Sequence, residues 1–239
     1  MAAKPALVLI PGVICDERLW QPVLPGLEAV ADVQVTRAHF MYDSVGAIAE
    51  AILAEAPQRF SVAGLSFGGY LAQEIVRCAP ERVERLALLN TAARADDESR
   101  RKQRQGLIRQ VQSGRRFIGM SAALAAEFVA PDRRGDEGLI ETIRMMAQTV
   151  GPEGYIRQQT AILNRADGRP ALAKVACPTL IVAGRSDRQT PVAVHEEMHA
   201  LIPGSRLVVL EKCGHLSPLE QPEAVLEAMR SWMGEPNAP

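Results

Sequence analysis

Arg59-Phe60-Ser61-Val62-Ala63-Gly64-Leu65-Ser66-Phe67-Gly68-Gly69-Tyr70-Leu71-Ala72-Gln73-Glu74-Ile75-Val76-Arg77 joins two unlike patterns across one serine. The first five residues form a short apolar, β-branched run, the signature of a buried strand. The residues from Tyr70 onward have helical spacing. Between them lies Gly64-Leu65-Ser66-Phe67-Gly68, a G-x-S-x-G turn followed by a third glycine. In a strand-to-helix context this is the pattern of a nucleophile elbow, in which a sharp turn lifts the serine hydroxyl clear of the sheet. Small neighbours let strand and helix approach, and the helix N-terminus beneath favours developing negative charge. Gly and Ser alone are common in loops; strand, turn and helix together make Ser66 a candidate nucleophile.

Working outward, further apolar runs occur at 6–10, 32–36, 86–89, 179–183 and 206–210. The first, Ala6-Leu7-Val8-Leu9-Ile10, is continuous and stopped by Pro11-Gly12, as expected of a strand covered on both faces. Helical patterns at 45–54, 70–78, 192–201 and 223–233 separate most of these runs. Alternation of this kind predicts an α/β fold, doubly wound, with about six strands that are mostly or wholly parallel.

The interval 92–175 interrupts the alternation. It contains no convincing strand and reads as four helices, over 97–112, 117–129, 137–150 and 152–164. An insertion between two strands of one sheet tends to lie over their C-terminal edge, where α/β sites form. The expectation is a helical cap at 92–175 on a core of 1–91 and 176–239. The interval has 15 Lys plus Arg against 10 Asp plus Glu, while the whole chain carries a net charge of −1. A solvated basic face explains that excess; an anionic substrate or an acidic carrier protein is the sharper alternative.

The near-zero net charge gives no reason to expect a nucleic-acid partner or a membrane surface, and no apolar run approaches a membrane span of about 20 residues. The first residues lead straight into a strand without a signal-peptide pattern. Cys15, Cys78, Cys177 and Cys213 are scattered without metal-ligand spacing. Reduced thiols, a cytoplasmic location and no metal or organic cofactor are the expectations.

A serine hydroxyl needs a base, and the base an orienting acid. Of four histidines, His195 and His199 stand four apart on one helix and read as helix surface, and His39 has no evident partner. His215, in Cys213-Gly214-His215-Leu216-Ser217-Pro218 after the last strand, can reach back to Ser66. Asp187 lies in Gly184-Arg185-Ser186-Asp187, on the turn leaving the strand at 179–183. The chain order Ser66, Asp187, His215 is the one expected with a nucleophile elbow. The oxyanion donors fall to the amide of Phe67 and to the loop Pro11-Gly12-Val13-Ile14-Cys15, with Val13 preferred and Ile14 second. Candidate pocket residues are Ile14, Phe117, Met120, Phe128, Met145, Met146, Tyr155 and Leu216, only two or three of the cap residues among them being expected to touch substrate.

With these anchors the chain resembles the α/β-hydrolase superfamily, particularly small bacterial serine esterases and enol-lactonases with a helical cap. It departs from the usual pattern in lacking an early antiparallel hairpin and in reading Pro11-Gly12 where His-Gly is common. Tyr70 after the glycine pair and Leu65 before the serine differ from the menaquinone-pathway lyases and the carbon–carbon bond hydrolases of the superfamily. Serine at the elbow separates it from dehalogenases and epoxide hydrolases, which use aspartate there. The resemblance implies hydrolysis of small to medium carboxylic esters. Lactone or enol-lactone hydrolysis, a thioesterase or carrier-protein methyl esterase, and a binding protein without turnover are the alternatives.

Overall fold

A computed structural model of the chain describes residues 4–113 and 119–234. Strand β1 (Ala6–Ile10) leads through helix α1 (Leu24–Glu28) to β2 (Asp32–Val35) and α2 (Val45–Glu55). The elbow unit is β3 (Phe60–Leu65) and α3 (Phe67–Cys78), followed by β4 (Val83–Leu89). Then come α4 (Glu98–Gln112), α5 (Ala122–Ala125), α6 (Glu137–Leu163) and α7 (Arg169–Leu172). The chain closes with β5 (Thr179–Gly184), α8 (Val192–Leu201), β6 (Arg206–Leu210), α9 (Ser217–Glu220) and α10 (Pro222–Gly234).

The six strands form one sheet in the order β2-β1-β3-β4-β5-β6, and every pairing is parallel. Alternate residues of the apolar runs feed opposite faces. Leu7, Leu9, Ala63, Leu65, Ala87 and Leu89 pack with Trp20, Leu27, Met229 and Trp232 on one side. Val8, Ile10, Val62, Leu86 and Leu88 pack with Ile48, Leu71, Ile75 and Met198 on the other. Two covered faces account for the unbroken hydrophobic runs. Strand order reverses at β1 and β3, and a crevice opens at the C-terminal ends of strands at such a point. The loop after β1 and the elbow after β3 therefore meet.

Between β4 and β5 the described residues are helical or irregular, with no strand. Asp97 caps α4 by accepting the Arg100 amide at 2.8 Å. The helices expected over 137–150 and 152–164 are the two halves of α6, broken at Gly151 (φ 68°, ψ 179°). That left-handed φ suits glycine, and Pro152 supplies no amide donor across the break. A helix over 117–129 is not what forms: among the described residues there, only α5 is helical. The Phe128 carbonyl and Ala130 amide bond to His215 and Glu220 instead of extending the helix, and Pro131 follows. No described helix is long and apolar enough to cross a membrane.

Candidate active site

Ser66 stands between β3 and α3 with φ 54° and ψ −113°, a strained conformation for a residue with a Cβ. The turn is held by its neighbours. A Cβ on Gly64 would lie 2.1 Å from the Gly68 carbonyl oxygen, and one on Gly68 would lie 2.1 Å from that of Ile10. The end of β4 grips both backbone groups of the serine: its amide donates to the Leu89 carbonyl at 2.9 Å, and the Thr91 hydroxyl donates to its carbonyl at 2.7 Å.

His215 Nε2 lies 2.9 Å from Ser66 Oγ, and His215 Nδ1 lies 2.8 Å from Asp187 Oδ2. Three loops thus bring the three sequence candidates into one hydrogen-bonded chain. Asp187 is buried and accepts four further bonds: from Thr190 Oγ1 (2.7 Å) and Asn90 Nδ2 (3.0 Å) on Oδ2, and from the Gln189 and Thr190 amides (2.8 and 3.1 Å) on Oδ1. Burial opposes its charge, but His215 and the Thr190 and Asn90 donors outweigh burial and hold the carboxyl well below the ordinary carboxylate range. Asn90, which spacing alone does not single out, also donates to the Gly214 carbonyl at 3.0 Å and so ties acid loop to histidine loop.

The histidine loop is pinned from below. Glu220 accepts the Gly214 and Leu216 amides at 2.9 and 3.0 Å and the Ala130 amide at 2.7 Å. Burial nevertheless pushes this carboxyl up, the three amides only partly offsetting it. The His215 amide donates to the Phe128 carbonyl at 2.7 Å, and a Cβ on Gly214 would meet the Val129 backbone at 2.6 Å. Burial likewise pushes up the thiol of Cys213, which is fully enclosed beside this loop.

On the other side of the serine, the amides of Val13 and Phe67 make no hydrogen bond among the described residues. The Ile14 amide does: it donates to Gln158 Oε1 at 2.9 Å. Of the two loop amides considered for an oxyanion, only that of Val13 is left open.

A cavity of about 610 Å³ reaches Ser66 and His215, within the usual range for small-molecule sites. Ile14, Met120, Phe128 and Tyr155 line it, and Leu216 lines a narrow annex beside Ser66. Two expected pocket residues are elsewhere. Met146 is buried in the core cluster that also holds Leu139, Ile140 and Ile143, and Met145 at the next position of α6 is 37% exposed; the helix turns the first toward the core and the second toward solvent, and neither lines the cavity. Phe117 falls outside the described residues. The polar part of the wall is Arg100, Gln103 and Arg104 of α4, Gln159 of α6, and Gln189; the two arginines belong to the basic excess of the 92–175 interval, whereas the glutamines carry no signature in the sequence.

Two histidines outside the chain of three are also buried. His195 is not helix surface: its ring faces the end of β4, where Nε2 accepts the Thr91 amide at 3.1 Å and Nδ1 donates to the Pro191 carbonyl at 3.3 Å. His39 does have a partner, donating from Nε2 to the Cys15 carbonyl at 2.9 Å. Burial lowers both to about 4. Between pH 6.5 and 4 the unfolded chain takes up protons at these sites and the folded chain does not, so stability falls as pH falls through that window. A tenfold difference in proton affinity is worth about 1.4 kcal/mol, so the two histidines together should cost on the order of a few kcal/mol by about pH 4.5. Urea midpoints from about pH 7.5 down to about pH 4.5 measure it, and His39→Gln with His195→Gln should flatten the slope.

The decisive comparison is with the model of the Alpha/beta hydrolase family, which matches residues 7–228. The chain belongs to the alpha/beta hydrolase family. This hydrolase is 28% identical over 222 residues to the pimeloyl-[acyl-carrier protein] methyl ester esterase of Nitrosomonas europaea, covering 86% of the chain and 81% of that protein. It is 32% identical over 171 residues to 3-oxoadipate enol-lactonase 2 of Acinetobacter baylyi, covering 71% and 62%. It spans only 47% of a third relative, the biotin biosynthesis bifunctional protein of Cellvibrio japonicus, at 27% identity over 96% of the chain. Among solved structures, a thermophilic esterase from Thermogutta terrifontis superimposes with a TM-score of 0.86 at 27% identity, covering 98% and 90% of the two chains.

Proposed function

We propose that this hydrolase cleaves carboxylic esters through an acyl-enzyme on Ser66. The observation that carries the reading is the unbroken Ser66–His215–Asp187 hydrogen-bond chain at the floor of a cavity. Ser66 Oγ attacks the ester carbonyl carbon while His215 Nε2 takes its proton, and Asp187 keeps Nδ1–H fixed so that Nε2 is free to accept. The carbonyl oxygen becomes an oxyanion, which the Val13 and Phe67 amides receive. The bond to the leaving alkoxy group breaks as His215 returns the proton to it. Water, deprotonated by His215, then releases the acid and restores Ser66. The helices over 92–175 serve as the cap that walls the cavity. A cytoplasmic setting suits four cysteines that are all unpaired.

Turnover of p-nitrophenyl acetate, butyrate and octanoate tests the reading, and the chain-length trend sizes the cavity. A folded protein that turns over none of them, nor a lactone, and takes no fluorophosphonate label at Ser66 is a binding protein and overturns it.

The charge of the cavity wall supports a narrower reading. Among the described residues, the lining includes the cations Arg100 and Arg104 and no carboxylate. Arg104 is paired with the buried Asp96, whereas the Arg100 side chain makes no ion pair among the described residues. An ester carrying an anionic group, whether a free carboxylate or the acidic carrier of the methyl ester esterase relatives, fits that wall. Arg100→Glu should cut kcat/KM for an anionic ester by about tenfold or more, equivalent to ~1.4 kcal/mol, and spare a neutral ester of equal length. Equal losses on both count against it. Matched open esters and lactones separate the esterase from the lactonase.

A further inference from the structure

The loop Gly12–Cys15 is short, strained and fastened by two side chains that come from outside it. Ile14 sits in the left-handed region at φ 50°, which is unfavourable for a β-branched residue. Its amide donates to Gln158 Oε1 at 2.9 Å, while the Cys15 carbonyl next to it accepts from His39 Nε2, also at 2.9 Å. Within the loop a single weak turn bond, from the Cys15 amide to the Gly12 carbonyl at 3.3 Å, closes the chain.

Both outside residues are fully buried, and both are polar where an apolar side chain would fill the space. Gln158 leaves its Nε2 without a partner among the described residues. A core amide that orphans one of its own donors weakens the fold relative to methionine or leucine, so core packing does not account for it. Its acceptor oxygen, aimed at Ile14, does. His39 is held neutral by burial and serves as a donor. The two clamp residues belong to one packed unit. The turn containing His39 and Phe40 lies against the second half of α6, where a Cβ on Gly154 would be 3.4 Å from Phe40 Cβ.

We propose that Gln158 and His39 are positioning residues for the oxyanion site. They hold Ile14 and Cys15 so that the preceding amide, that of Val13, faces the space above Ser66. Val13 and Gly12 border that space, and a Cβ on Gly12 would touch Ser66 Cβ at 3.4 Å. Gln158 grips the amide side of the strained residue and His39 grips the carbonyl that follows. This assignment rests on the esterase reading above for its catalytic consequence, and on the loop geometry alone for the clamp.

The test uses Gln158→Met, Gln158→Glu, His39→Phe and His39→Gln in the full chain, each checked for cooperative thermal unfolding. Three quantities are read: kcat and KM on p-nitrophenyl butyrate, the Ki of an alkyl trifluoromethyl ketone, and hydrogen exchange at the Ile14 amide. Small displacements of a catalytic group cost up to about 100-fold, so Gln158→Met and His39→Phe should lower kcat by ~10–100-fold with KM within about twofold. The ketone, whose adduct places an oxyanion in the site, should weaken by the same factor, and Ile14 should exchange faster. Gln158→Glu keeps an acceptor oxygen and His39→Gln keeps a donor; both should recover most of the activity. A merely structural role would lower unfolding temperature without moving the ketone Ki in step with kcat. The proposal is overturned if kcat and Ki stay at wild-type values while Ile14 exchanges freely, or if kcat falls and Ki does not. Should wild-type protein hydrolyse no ester and take no fluorophosphonate label, the esterase reading has failed instead. The clamp is then judged by exchange: protection at Ile14 that Gln158→Met removes supports it, and an unprotected Ile14 in wild type overturns it.

Discussion

Replacing Ser66 by alanine should lower kcat/KM for p-nitrophenyl butyrate by about 10⁴–10⁶-fold, since nucleophile loss in a serine triad removes the covalent route entirely. The residual rate should reflect only the oxyanion donors and substrate binding, which survive the change. Fold and stability should hold: the serine backbone is gripped by Leu89 and Thr91, and alanine keeps the Cβ already accommodated at φ 54°. Two controls make the result interpretable. Fluorophosphonate should label wild type and not the variant, and the unfolding temperature should stay within a degree or two. Turnover unchanged in Ser66→Ala would end the acyl-enzyme mechanism.

The second large effect is expected at Asp187. Asp187→Asn changes one oxygen into an amide nitrogen, which is nearly isosteric, yet every neighbour of that carboxylate is a donor. Oδ2 accepts from His215, Thr190 and Asn90, and Oδ1 accepts two backbone amides. Whichever way the new amide turns, an N–H faces donors. If it faces His215, Nδ1 must accept, the proton moves to Nε2, and the imidazole can no longer take the proton of Ser66. If it faces the turn, the Gln189 and Thr190 amides lose their acceptor and the loop loosens. A tautomer fault of this kind costs about 10⁴-fold in kcat. The loss should be largest near neutral pH and shrink in alkaline buffer, where hydroxide bypasses the general base. Activity within about tenfold of wild type across roughly pH 6–9 would remove Asp187 from the mechanism.

Much of the scaffold was legible along the chain because parallel strands covered on both faces need unbroken apolar runs. All six runs became strands, and 179–183 and 206–210 lengthened by no more than one residue. The elbow was legible for a related reason: glycine at 64 and 68 answers a steric demand that leaves a spelling in the sequence. What stayed hidden depends on groups far apart along the chain. Gln158 meets Ile14 across 144 residues, Asn90 meets Asp187 across 97, and Glu220 meets Ala130 across 90. No local period records such contacts. His195 looked like helix surface because its partner, the Thr91 amide, belongs to another strand's end. The paired methionines of α6 show the opposite failure. An apolar stripe marks a buried face without saying whether core or cavity lies on it, and only Met145 and Met146 together reveal the turn of the helix.

The contact of the Phe128–Ala130 segment with the histidine loop bears on how such enzymes can be recombined. Because the Phe128 carbonyl and the Ala130 amide complete bonds that the loop around His215 cannot satisfy by itself, the helical interval is no detachable accessory. A chimera that exchanges residues 92–175 between relatives to alter substrate range would exchange part of the mounting of His215. Boundaries drawn at the strands would transplant a new pocket onto a misaligned histidine unless the backbone path at 128–130 and the carboxylate at Glu220 travel as one unit.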